Sequence, residues 1–259
     1  MTLSQYFGLV DVQARMLLKA DAAKFKLGIL WWFLEPLIWV CVFYVVFNMI
    51  LDSGRKGGDF VLFLAVGKFA FIWFSKTVIQ ASGAIIAGQG LIGKIDVPKS
   101  LFPMSAIHES LYRQSTIYLL LFVILLLGGV SPGLGWLWLL PIALTTYLMI
   151  IGCGFIAACL VCVVRDFQKF IPLGMTFLLF TSGIFWDVRT LGDTQKMEML
   201  LWVNPLAFII DAHRQALIHL TAPDLLHLAV IALGSVVAIV LSLWYMRRYS
   251  KLIALQVLT

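Results

Sequence analysis

Residues 136–164 run for 29 positions without a single charged side chain. As a helix this stretch would be roughly 43 Å long, more than the ~30 Å hydrocarbon core of a bilayer requires. It is not alone. Further apolar stretches occupy about 27–50, 60–81, 107–130, 170–186 and 225–246. The whole chain is 62% hydrophobic and 12% charged, where soluble domains run at about 45–50% and about 25%. A water-facing fold of 259 residues cannot hide that much apolar surface. Continuous runs, rather than ten-residue alternating segments, favour helices over a β-barrel. The expected fold is an all-α integral membrane protein of six transmembrane helices, forming one domain over 1–259.

Six spans put both termini on one side, and the cations choose which. One side carries Arg15, Lys19, Lys24, Lys26, Lys94, Lys99, Arg113, Arg165, Lys169, Arg247, Arg248 and Lys251; the other carries only Arg55, Lys56, Arg189, Lys196 and Arg214. The richer side is cytoplasmic by the positive-inside rule. Both termini and the segment 88–103 are therefore expected inside. The net charge of +6 is then topological, and no nucleic-acid partner is needed to explain it. Met1 to Lys26 lacks the apolar core and small-residue cleavage site of a signal peptide.

Residues 4–26 do not form a span. Phe7, Val10, Ala14 and Leu17 recur at helical spacing, while Asp11, Arg15 and Lys19 sit four apart on another face. The pattern fits an amphipathic helix in the plane of the membrane, its cations facing lipid headgroups. A helix lying on the protein itself is the alternative. Glu35-Pro36 implies a kink, and Glu35 is expected to face protein or water, because a lipid-facing carboxylate is costly. Lys68 and Lys76 interrupt the second span. Lys76 is expected to snorkel, and Lys68 either snorkels or faces the bundle interior. Glu109 and Arg113 stand at the i,i+4 spacing of an ion pair. Residues 187–223 are polar with apolar patches, which suits short re-entrant or interfacial helices.

The segment 88–103 invites a nucleotide-binding reading. Gly88, then Gly93-Lys94 after four residues, follows most of the phosphate-cradling loop pattern. The next residue is Ile95, where Mg²⁺ needs a Ser or Thr hydroxyl, and the flanks are membrane-type sequence instead of a strand and a helix start. The chain is therefore not expected to bind ATP there.

Catalytic chemistry is equally thin. The four cysteines lie inside apolar runs and are read as small hydrophobes rather than a disulfide framework. His108, His213, His219 and His227 are scattered and are expected to be structural. Intramembrane acids, the mark of proton-coupled transport, are nearly absent. A membrane conduit powered by another protein remains.

The order of motifs resembles the membrane permease subunit of bacterial polysaccharide-exporting ABC transporters, the class serving O-antigen, capsule and teichoic acid. The residues that carry this are the basic lead-in with Leu27-Gly28-Ile-Leu-Trp31 and Pro36, then Phe63-Leu-Ala-Val-Gly67 through Trp73-Phe74. Leu91-Ile92, Lys94, Val97-Pro98 and Pro103 follow, and after them Arg165-Asp166 and Asn204-Pro205-Leu206 with Arg214. The chain departs from the family at Gly88 to Gly90, where an Asn is usual, and at Val97, where an aromatic precedes the proline. The resemblance implies two copies of this chain paired with two copies of a cytoplasmic ATPase that holds the ATP and Mg²⁺, this chain binding no cofactor. It implies a coupling helix in 88–103 seated on that ATPase through Leu91, Ile92, Lys94, Asp96, Val97 and Pro98, with Arg15 and Lys19 of the lead-in helix at its border. It also implies a lipid-linked polysaccharide, foremost O-antigen, as cargo across the bacterial inner membrane.

Aromatic residues supply the expected conduit toward the outer half of the membrane. Tyr44 and Phe47 end the first span, Phe63 and Phe69 begin the second, and Phe177, Phe180, Phe185 and Trp186 close the fifth. Sugar rings rest their C–H faces on aromatic rings without a fixed hydrogen-bond register, so a polymer can slide. Interfacial belts use the same residues for lipid contact. Two other readings stand beside this one: a small-molecule or drug exporter of the same architecture, and a multi-span enzyme acting on lipid-linked sugars. The latter would need an acid or metal constellation near one membrane face, and the sequence offers none.

Overall fold

The computed structural model describes residues 2–46, 58–94 and 97–258, and among them all regular structure is helical. Helix α1 (Leu3–Ala23) opens with a capping box, Thr2 and Gln5 exchanging side chain and backbone contacts. It is followed by α2 (Leu30–Tyr44), α3 (Gly58–Ala87), the single turn α4 (Gln89–Ile92) and α5 (Leu101–Leu127). A 3-10 segment, Leu134–Trp138, leads into α6 (Leu139–Val163), and α7 (Phe167–Thr181) follows directly. Then come α8 (Thr194–Val203), α9 (Pro205–Leu217), α10 (Leu225–Arg248) and α11 (Ser250–Leu258). Asp193, Asn204 and Asp224 cap α8, α9 and α10 by accepting from the amides of the next turn.

Four helical stretches are long and apolar enough to cross a bilayer: Asp59–Ile92, Leu101–Leu127, Leu134–Val163 and Leu225–Arg248. The described parts of α2 and α7 are 15 residues each, or about 22 Å, less than the hydrocarbon thickness. Helix α7 begins at Phe167, three residues before the expected run 170–186, so Pro172 lies inside it. Helix α3 runs well past the expected 60–81. Its polar residues do not end it because each finds a partner: Lys76 pairs with Glu35 of α2, and Gln80 Nε2 donates to Glu109 of α5 at 3.2 Å.

Helix α3 is the hub, packing against α2, α5, α6, α7 and α9, while α10 lies on α6 and α1 on α5. Its Phe71, Phe74 and Ile85 share one core with Phe155 of α6 and Ile209 of α9. Lys68 is buried with its Nζ 4.9 Å from the Trp39 ring and 5.6 Å from that of Phe71. It faces the bundle interior, where the aromatic faces hold the cation.

Helix α1 lies lengthwise along the first half of α5. Tyr6 donates to Ser100 at 3.1 Å, Ser105 donates to Gln13 at 3.0 Å, and Arg113 pairs with Asp21 at 3.1 Å. The contacts advance together along both helices, which therefore run side by side in the same direction. Val10 and Ala14 are buried on this inner face. Leu9, Val12 and Met16 form a second, exposed apolar face. Of the cysteines, Cys162 is buried, Cys153 and Cys159 are partly so, and Cys41 is exposed on α2; all four are free thiols.

Candidate functional site

The turn between α3 and α5 is small and tightly seated. Within α4, Leu91 is 41% exposed, whereas Ile92 is 7% exposed and belongs to the main core. Helix α4 packs against α3 and α11. Lys94 and Pro98 are exposed, Val97 is half-buried against the core, and Asp96 falls outside the described residues. Thus Leu91, Lys94 and Pro98 form an outward face, and Ile92 anchors it from below.

Arg15 and Lys19 are exposed on α1, Arg15 at the level of Tyr112, about three turns into α5. Arg15 pairs with Asp11 at 3.0 Å, and Asp11 also accepts from the Tyr112 hydroxyl of α5. That hydroxyl contact above all, with the Arg15 guanidinium beside it, holds the Asp11 carboxyl below its usual range. His108 Nε2 lies 3.8 Å from the same carboxylate. Further along, Asp21 accepts from Trp32 Nε1 at 3.3 Å and pairs with Arg113, which pairs in turn with Glu109 at 2.5 Å. The Glu109–Arg113 pair expected from spacing is therefore one link in a polar chain joining α1, α2, α3 and α5.

The aromatic residues fall into three groups. Tyr44, Phe63 and Phe185 come together around Phe60 and Leu64. Phe180 joins them, its ring centre 5.7 Å from that of Phe185, and Trp186 Nε1 donates to the Phe180 carbonyl at 3.1 Å. Phe177 and Phe180 are 67% and 59% exposed on α7. Phe69 is 1% exposed in a separate core with Leu121 and Leu125 of α5. It sits six residues past Phe63, on another side of α3. Phe47 falls outside the described residues.

Beneath this aromatic group lies Arg214 of α9, 3% exposed. Its Nε donates to the Phe63 carbonyl at 3.3 Å, Nη1 to that of Gly183 at 2.7 Å and Nη2 to that of Ile184 at 3.0 Å. Its guanidinium also lies over the Phe63 ring. Gly183 has φ +70°, and a Cβ on Gly67 would run into Nη2. Nearby, Asp211 accepts from Arg189 through three contacts of 2.9–3.2 Å and from Gln215 at 2.6 Å. His213 bonds the Ile209 carbonyl and the Tyr118 hydroxyl. Every residue from Leu206 to Leu217 is buried, so α9 carries a polar sequence inside the protein with its charged groups satisfied. Sequence reading placed Arg214 in a motif but gave it no role. Its partners are carbonyls far away in the chain, which leave no local pattern.

No group of three or more His, Cys, Asp or Glu side chains able to hold a metal ion occurs among the described residues. Cys159 and Cys162 stand three apart on α6, a spacing that metal and redox sites also use, but no third ligand joins them.

The described residues thus form a helical unit with four helices of membrane-spanning length, a tight interhelical turn and an aromatic cluster. Residues 104–218, from the first turn of α5 to the end of α9, are similar to the ABC-2 type transporter family. The chain is similar to the O-antigen export system permease protein RfbA of Klebsiella pneumoniae, 27% identical over 214 residues, covering 82% of this chain and 81% of that protein. The RfbA protein of Myxococcus xanthus is 26% identical over 239 residues, 91% of this chain and 90% of its own length. The polysialic acid transport protein KpsM of Escherichia coli is 29% identical over 213 residues, with coverages of 80% and 81%.

Proposed function

We propose that this chain is the membrane permease of an ATP-driven exporter that carries a lipid-linked polysaccharide, foremost O-antigen, across the bacterial inner membrane. The observation that carries this reading is the similarity to O-antigen export permeases and a polysialic acid transport protein over 80–91% of the chain. Two copies of the chain pair with two copies of a cytoplasmic ATPase, which binds the ATP and Mg²⁺. Helices α2 and α7, with their flanking residues, join the four longer helices to make six spans with both termini inside. The outward face of α4 and its flanks, bordered by Arg15 and Lys19, receives the ATPase. The cluster of Tyr44, Phe63, Phe180, Phe185 and Trp186, with Phe177 exposed on α7, lines the outer half of the path.

Deleting the gene is expected to abolish surface polysaccharide and trap the lipid-linked polymer inside, with restoration by the full chain. An ATPase is expected to co-purify with the tagged chain, and the chain alone is expected not to hydrolyse ATP. For the orientation, a cysteine at Thr194 is expected to react with an impermeant label from outside and one at Lys251 to stay silent. Normal surface polysaccharide in the deletion strain would refute the assignment.

A further inference from the structure

A cavity of about 650 Å³ lies between α1, residues 97–100, α6 and α10. Its walls are apolar, formed by Met104, Ile151, Phe155, Ile239, Leu243 and Met246, and its rim carries Lys99, Arg247, Tyr6 and Ser100. It lies apart from the aromatic cluster described above, with which it shares no lining residue.

Among the described residues the rim is cationic without local compensation. Lys99 is 5% exposed, and its one hydrogen bond to a described residue is a long contact of 3.4 Å to the Val97 carbonyl. Among the described residues, no carboxylate comes within ion-pairing distance of Lys99 or Arg247. A buried cation left this way is costly. Ser100 accepts from the Tyr6 hydroxyl at 3.1 Å and keeps its own proton to donate. Two cations and a hydroxyl donor at the mouth of an apolar chamber ask for one ligand that is anionic at one end and hydrocarbon at the other. A free phosphate would leave the apolar walls wet, and a zwitterionic lipid would meet the two cations with no net charge.

We propose that this cavity binds one anionic phospholipid, its phosphate at Lys99, Arg247 and Ser100 and its acyl chains along Phe155, Ile239 and Leu243. The lipid joins α1 to α10, two helices far apart in sequence, directly beside the turn at residues 97–100. The leaflet follows the orientation proposed above; the ligand class does not depend on it.

The test uses the full chain in neutral detergent, titrated with phosphatidylglycerol or with phosphatidylcholine of the same acyl length and read by native mass spectrometry. One phosphatidylglycerol per chain is expected to be held in preference to phosphatidylcholine. The double variant K99Q/R247Q is expected to weaken that binding about 30-fold, at about 1 kcal/mol per cation near the membrane surface. K99R/R247K is expected to restore it. Leu243→Trp fills the apolar chamber with both cations kept, and is expected to lose the lipid while eluting as a folded, monodisperse species. Equal retention of the two lipids, or wild-type binding by Leu243→Trp, would overturn the site. Displacement by inorganic phosphate would reduce it to an anion site. Displacement by a polyprenyl diphosphate at equal concentration would make it a cargo site instead. Loss of surface polysaccharide bears on the permease reading alone, because this readout needs no transport.

Discussion

The guanidinium carbon of Arg214 lies 3.4 Å from the centre of the Phe63 ring, although the two residues are 151 positions apart in the chain. The same side chain holds the carbonyls of Gly183 and Ile184, so one residue of α9 fastens the N-terminal part of α3 to the turn that follows α7. A fork of five N–H donors suits this task and an ammonium does not. Arg214→Ala is expected to cost about 3–5 kcal/mol, as for a broken buried polar network. Arg214→Lys is expected to recover only part of that. Gly67→Ala is expected to act in the same direction by pushing on Nη2. Thermal unfolding of the purified chain reads all three; a wild-type midpoint for Arg214→Lys would show that the fork is not what holds the joint.

Leu91 and Ile92 are neighbours with different fates. Leu91→Asp changes an exposed side chain and is expected to leave the chain folded while lowering ATPase co-purification or uncoupling hydrolysis from export. Ile92→Asp buries a carboxylate in the core and is expected to lower the yield of folded protein itself. Size-exclusion behaviour beside ATPase recovery separates the two outcomes. Equal folding defects in both would remove Leu91 from the docking face.

Phe69 and Phe180 make a second contrasting pair. Phe69→Ala empties a packed site and is expected to cost about 3–5 kcal/mol. Phe180→Ala removes an exposed ring and is expected to leave unfolding unchanged within about 0.5 kcal/mol, yet to shorten or slow the exported glycan. Gel analysis of surface polysaccharide beside a thermal melt tests both, and normal export by Phe180→Ala, Tyr44→Ala and Trp186→Ala together would place the path elsewhere.

The seating of α1 is expected to depend on pH. The Asp11 carboxyl titrates below its unfolded value because the Tyr112 hydroxyl donates to it. Its contribution is therefore present above the unfolded carboxylate range, near 3.9, and is lost as pH falls through the lower folded value. Arg15 and His108 face the same carboxylate. Limited proteolysis of α1 is expected to speed up in that acid window. Tyr112→Phe, which removes the main cause, is expected to flatten the response, and an unchanged profile in that variant would assign it to another group.

The apolar runs were legible because a bilayer demands length and hydrocarbon, and both are local properties. The four long helices overlap those runs, with the end of α3 and the start of α5 each shifted by six residues. Those shifts trace to partners in other helices. Lys76 and Gln80 look like terminators in sequence but are satisfied by Glu35 and Glu109, so α3 continues through them. Phe63 and Phe69 look equivalent in composition, and only the angle around α3 sends one to the Tyr44 cluster and the other into the core. Helix α1 shows the limit most clearly: its periodicity gave an amphipathic helix, while its fit along α5 depends on Ser100, Ser105 and Arg113, some ninety residues further on.

Helix α7 has no buried side chain, and Phe170, Leu173, Phe177 and Phe180 recur along it in the open. Where two identical chains share one conduit, such a face exists twice in every assembly, and so does any lesion on it. A defective α7 allele expressed alongside the normal gene is therefore expected to behave dominantly, since mixed pairs carry one damaged wall and only pairs built wholly from normal chains keep two sound ones. A recessive α7 allele would mean that each chain forms its path alone.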